Sequence, residues 1–113
     1  MDVQVKDMHA PRDDRSVLAV CDLVLYGEFI VKGVRVMGRP QEGGDSLFVA
    51  WPVRRDTQGR WHEVAFPLTL EAKERMIDLV LAAYTQLLID DAQRTVKASA
   101  AKRGMIAGLE RGR

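Results

Sequence analysis

Residues 17–36 read "VLAVCDLVLYGEFIVKGVRV", and how the two halves of this stretch face each other decides the fold. Two runs rich in β-branched residues flank Tyr26-Gly27, the pattern of a hairpin closed by an X-Gly turn. With a two-residue loop, Val24 stands opposite Phe29 and Asp22 opposite Val31. One face then carries Leu18, Val20, Val24, Phe29 and Val31. The other carries Ala19, Cys21, Leu23, Leu25, Ile30, Val34 and Val36. A half-exposed antiparallel strand alternates apolar with polar residues, so two apolar faces call for two covers.

Upstream, Val3 and Val5 alternate with polar neighbours and predict a first strand over residues 2–9. "APRDDRS" reads as a polar loop. Downstream, "MGRPQEGGD" is a Gly/Pro loop, "SLFVAW" a third long strand ended by Pro52, and "WHEVAF" a short returning strand ended by Pro67. Between these last two strands, "RRDTQGR" holds a turn.

Thr69 is placed to cap a helix, with Glu71 and Glu74 suited to the positive end of its dipole. Met76, Ile77, Val80, Tyr84, Leu87 and Leu88 recur at three- and four-residue spacing on one side. Glu71, Glu74, Arg75, Asp78, Ala82 and Gln86 fall on the other, the pattern of an amphipathic helix laid on a sheet. This is one of the two covers. The other is expected to be a second copy of the chain.

After Ile89 the apolar residues are mostly alanines. Asp90 followed by Gln93 resembles a capping box and predicts a second, weak helix to about Gly104. Two segments follow, an α+β domain over residues 1–89 and a basic extension over 90–113. From residue 92 onward the extension carries Arg94, Lys97, Lys102, Arg103, Arg111 and Arg113 against Glu110 alone.

Whole-chain properties narrow the function. A chain of 113 residues is one domain by length, long enough to bury roughly 60–70 % of its unfolded surface. At 47 % apolar and 29 % charged, with a formal charge of +1, the chain has a globular balance and no overall attraction to polyanions. A case for nucleic acid must therefore rest on local patches. The single cysteine, Cys21, forms no intrachain disulfide and reads as a small buried hydrophobe. There is no signal-peptide pattern and no window of about 20 apolar residues, so the expected location is cytoplasmic and no membrane partner is expected.

No chemistry-bearing constellation emerges. His9 and His62 lack neighbours at metal-ligand spacing, and the Asp13-Asp14 and Asp90-Asp91 pairs point in different directions. "RPQEGGD" has glycines but neither the lysine nor the helix of a phosphate loop. No enzyme activity, metal, cofactor or small-molecule substrate is expected.

Three segments, "GEFIVKGVRVM", "LFVAWPVRRDTQGRW" and "AFPLTLEAKERMIDLVLAAY", together resemble the stage V sporulation protein G (SpoVG) family, also called septation regulators. Glu28-Phe29, Val34-Arg35-Val36, Leu47 to Ala50, Pro52, Arg55, Gly59, Pro67, Val80 and Tyr84 carry the likeness over roughly residues 1–88. The resemblance implies an antiparallel sheet with a long helix, a homodimer, and site-specific binding of DNA, in some members RNA, in the regulation of gene expression. It also implies nucleic-acid contact by the basic pair Arg54 and Arg55 and by a basic helix position at Lys73. Three departures stand out: Phe66 where the family usually has histidine, Trp51 for methionine, and a basic tail where many members end acidic.

Arginine offers forked donors to phosphate oxygens and guanine edges, which suits Arg54 and Arg55 to that role. Arg60, across the turn, either widens the patch or neutralises Asp56. Lys73 and Arg75 have Glu71, Glu74 and Asp78 at pairing distance, so a salt-bridged outer face competes with a contact role. The tail is either an arm on the phosphate backbone or a solubilising end. Trp51 and Trp61 flank the turn and are expected in a core or an interface more than on a base. A protein-interaction module, in which the arginines serve solubility, is the alternative function.

Overall fold

The structure is a computed structural model describing residues 2–12, 16–38 and 46–111, with helix side chains as far as Lys97. Residues 13–15 and 39–45, where loops are expected, and the side chains of Lys102, Arg103, Arg111 and Arg113 lie outside the described residues. Six strands precede one helix: β1 (Val3–His9), β2 (Val17–Leu25), β3 (Phe29–Met37), β4 (Phe48–Ala50), β5 (Val53–Arg55), β6 (Trp61–Glu63) and α1 (Leu70–Arg111). β1 to β4 form an antiparallel meander, while β5 and β6 pair only with each other. The expected α+β class holds.

The hairpin forms between the expected runs, with a different register. Tyr26 and Gly27 both take positive φ (56° and 68°), the primed-turn geometry whose twist suits flanking strands. Glu28 N–H donates to Leu25 C=O at 3.0 Å, yet the ladder resumes with Leu25 opposite Phe29, leaving Glu28 as an extra residue. Val24 therefore pairs with Ile30 and Leu23 with Val31. A slip of one residue exchanges faces. Phe29 and Val31 move to the helix-covered side and Ile30 moves off it, correcting the expected facing.

A bulge absorbs the slip further along. Leu23 pairs with Val31 but Cys21 with Val34, so Lys32 and Gly33 together face Asp22. Gly33 carries the bulge at φ 86°, a conformation glycine adopts without a Cβ clash. Past it, Val34 and Val36 return to the expected side. The outer face is therefore mixed: Gln4 is level with Val24 and Ile30, Arg35 with Val20, and Lys6 faces Asp22. It is less apolar than the largely apolar face expected.

The core lies on the other side. Val3, Ala19, Cys21, Leu23, Val34, Val36 and Trp51 of the sheet layer bury against Met76, Val80 and Tyr84 of α1. Fully burying side chains of this size contributes about 1.5–3 kcal/mol each. Among the described residues no polar or charged side chain is buried. Burial and the neighbouring Asp22 raise the Cys21 thiol to about 11, which keeps it a neutral, packed group as expected.

Two further expectations change. "SLFVAW" yields only the three-residue β4, because Pro52 has no N–H to continue the ladder. The helix does not stop at Ile89. Thr69 caps it as expected, accepting from Ala72 N–H at 3.1 Å, but α1 then runs unbroken for 42 residues. Asp90 takes no cap role; its carboxylate accepts from Gln86 Nε2 one turn back at 2.9 Å. With alanines and no proline in the segment, nothing interrupts the backbone ladder. Every described helix residue beyond Leu87 is exposed. No described helix is long and apolar enough to cross a membrane.

Candidate nucleic-acid interface

The β5–β6 ribbon is a projection clamped by one carboxylate. Asp56 Oδ1 accepts from the backbone N–H of Gln58 at 2.9 Å and of Arg60 at 2.8 Å. Oδ2 meets His62 Nε2 at 2.7 Å and Arg60 Nε at 3.3 Å. Gly59, at φ 81°, closes the turn by donating to Asp56 C=O at 3.1 Å, and Asp56 N–H donates to Arg60 C=O at 2.8 Å. The His62 contact first, then the Arg60 and Gln58 amides and the Arg60 guanidinium, hold the Asp56 carboxyl below the usual carboxylate range, against a smaller opposing effect of desolvation. An ionised carboxylate is a stronger acceptor for all of these donors.

The ladder register sorts the cations. Arg55 pairs with Trp61, Arg54 with His62, and Val53 with Glu63. Successive residues of a strand point to opposite faces, so Arg54 and Arg55 do not form one fork. Arg54 is exposed and makes no ion pair with any described residue. Arg55 donates from Nε to Gly59 C=O at 3.2 Å, and its guanidinium carbon lies 5.6 Å from the Trp61 ring centroid. A carbonyl and an aromatic face orient that charge without cancelling it.

Arg60 is differently placed. It is ion-paired to Asp56 and also donates to the Gln58 side-chain carbonyl, so much of its charge is spent within the turn. Lys73 is exposed in the first turn of α1, on a different element, and no described carboxylate pairs with it. The geometry thus brings Arg54, Arg55 and Arg60 together on one ribbon and leaves Lys73 apart. The two tryptophans separate as well: Trp51 is buried in the core, whereas Trp61 is 64 % exposed. Sequence reasoning missed both this division and the organising role of Asp56. The signal available was Asp56 three residues ahead of Gly59, a spacing that favours a side-chain-closed turn.

Among the described residues no three of His, Cys, Asp and Glu converge on a point that could hold a metal ion. The SpoVG family model matches residues 1–86. This chain belongs to the SpoVG family. It is 33 % identical over 79 residues to a SpoVG relative from Archaeoglobus fulgidus, covering 70 % of this chain and 88 % of that one. A SpoVG relative from Listeria monocytogenes is 30 % identical over 87 residues, covering 75 % of this chain and 81 % of its own. One from Priestia megaterium is 35 % identical over 69 residues, covering 61 % and 68 %. The names of these relatives tie them to septation.

The SpoVG match ends inside α1, so the exposed part of the helix lies beyond it. Charge divides near the same place. Residues 1–91 hold eleven Lys and Arg against fifteen Asp and Glu; residues 92–113 hold six against one. The near-neutral total conceals an acidic body and a basic extension.

Proposed function

We propose that this SpoVG protein is a non-enzymatic, cytoplasmic regulator that binds nucleic acid through the β5–β6 ribbon and works as a homodimer. The observation that carries this reading is Arg54: an exposed guanidinium at a polar, projecting ribbon, with no carboxylate among the described residues to neutralise it. Arg55 supports it, because its contacts with Gly59 and Trp61 fix its direction and keep its charge available. On the acidic body of residues 1–91 these two cations stand out locally, which is where a neutral protein must carry such a function. Arg60 serves mainly to hold the turn, and the basic extension adds phosphate contacts from a second direction.

The dimer reading rests on apolar surface that one copy leaves uncovered. Phe29 and Phe66 are each more than half exposed, and Leu68 is 91 % exposed. Phe29 and Phe66 line an open groove of about 250 Å³ with Leu23, Leu25, Val31 and Trp51. A second copy is the cover that closes such a surface at no cost in new sequence. The corrected register moves this argument from the outer sheet face, which is mixed, to the end of the helix-covered face.

A mobility-shift titration tests the binding. Arg54→Ala with Arg55→Ala is expected to weaken binding at least tenfold and to flatten its salt dependence, with the melting temperature nearly unchanged. Undiminished binding by the double variant would remove the ribbon from the interface. No shift of DNA or RNA at physiological salt would instead leave a protein-interaction module, for which the same groove is the natural surface. Light scattering at micromolar concentration checks the dimer, and a monomer there would refute it.

A further inference from the structure

We propose that Trp61, backed by Arg55, is a stacking platform for an unpaired base, so that the ribbon takes single-stranded nucleic acid rather than a duplex. This rests on the nucleic-acid reading of the ribbon and narrows it to a class of ligand. Leaving an indole 64 % exposed forgoes the burial that a side chain of this size normally gains. The same chain buries its other tryptophan almost completely, at 8 % exposed.

The ring is held in a defined setting. Its strand partner Arg55 lies against it, with the guanidinium carbon 5.6 Å from the ring centroid. The guanidinium is tied in turn by the Nε–H bond to Gly59 C=O. Gly59 leaves space for that arrangement, since a Cβ there would sit 3.3 Å from Arg55 Nη2. An aromatic ring bearing a cation is the pairing that receives a nucleobase: the base stacks on the π surface while the cation meets the adjacent phosphate. Bases inside a duplex are already stacked and present only their edges in the grooves. An indole face therefore selects bases whose faces are free.

The placement of Arg54 points the same way. It lies on the opposite side of the ribbon from Trp61 and Arg55, level with His62. A ribbon laid in a groove presents one face to the bases, and no single face holds both arginines. A flexible strand can pass its base across Trp61 and bring its backbone round to Arg54. Three residue pairs span roughly 10 Å, room for one or two nucleotides.

The test uses the full chain, its intrinsic fluorescence, and four unlabelled probes of equal phosphate number: oligo(dT), oligo(U), a mixed-sequence duplex, and an abasic deoxyribose-phosphate oligomer. Because Trp51 is buried, quenching reports chiefly on Trp61. Quenching by oligo(dT) or oligo(U), but not by the duplex or the abasic chain, is expected; the first two arms separate DNA from RNA. By mobility shift, which does not depend on the indole, Trp61→Ala is expected to weaken single-strand binding roughly 5- to 150-fold without changing the salt slope, and Trp61→Phe to retain most of it. Duplex and abasic probes binding as tightly as oligo(dT), with Trp61→Ala silent, would overturn the platform while leaving the nucleic-acid reading intact. A change of oligomeric state in Trp61→Ala, seen by light scattering, would assign the ring to an interface between copies and equally overturn it. Absence of binding by all four probes is the separate failure of the underlying reading.

Discussion

The helix-covered hairpin and the β5–β6 ribbon are built on opposite principles. In the first, Ala19, Cys21, Leu23, Val34 and Val36 bury against Val80 and Tyr84, and no described polar side chain enters the core. In the second, no residue of either strand is buried, and Asp56 organises the turn through four donors. Apolar burial is non-directional and sums to large energies; polar contacts in water are directional and individually small. The chain thus puts its stability in one place and its orientable charges and exposed aromatic ring in another. Mutations should sort the same way.

The largest effect is expected in the core. Leu23→Ala removes a side chain that is 2 % exposed and should cost about 2–5 kcal/mol in denaturant unfolding. A loss under 1 kcal/mol would mean that the hairpin does not anchor the molecule. Next comes Gly59→Ala in the ribbon, where a left-handed φ of 81° costs a side-chain-bearing residue about 1–2 kcal/mol. The added Cβ also presses on the Arg55 guanidinium, so ligand binding should fall more than stability does. Equal losses in both would erase the separation.

Asp56→Ala sharpens the contrast further. Amide exchange should rise at Gln58, Gly59 and Arg60 while β2 and β3 keep their protection. Acid should act on the same turn. The Asp56 pKa is depressed in the folded state, so its contribution is complete above the ordinary carboxylate pKa of about 4 and is lost as pH falls through the lower, folded value. NMR of the three turn amides at successively lower pH reads that loss directly. The smallest effect is an absence: with its thiol raised to about 11, Cys21 should resist alkylation at pH 8 until the chain unfolds. Rapid labelling of the native protein would place Cys21 outside the packed region.

How much of this was legible differs between the two regions for the same reason. Strand positions, the Thr69 cap and the Met76–Val80–Tyr84 stripe follow from periodicity, because apolar burial writes a repeating pattern into the sequence. The register of β2 on β3 does not, since the extra residue Glu28 and the bulge at Gly33 are settled by packing on α1 and not by the Tyr26-Gly27 turn alone. The helix boundary at Asp90 was misread because a carboxylate followed by Gln93 fits both a cap and a helix interior. In the ribbon, the arginines were legible as residues and through the family resemblance. Their opposite directions were implicit in strand alternation, but the contact of Arg55 with Trp61 depends on a cross-strand register that short polar strands do not encode.

The unbroken helix has a consequence for how the molecule meets other charged bodies. Residues 92–111 extend about 30 Å at 1.5 Å per residue, several times the roughly 8 Å over which physiological salt screens a charge. Arg94 pairs with Asp91 at 3.5 Å, but past that pair the helix axis leads away from the acidic body by more than a screening length. In the potential of a polyanion such a molecule experiences a torque, turning its C-terminal end inward before any contact is made. Orientation during approach is thus a property of where a backbone ladder fails to stop.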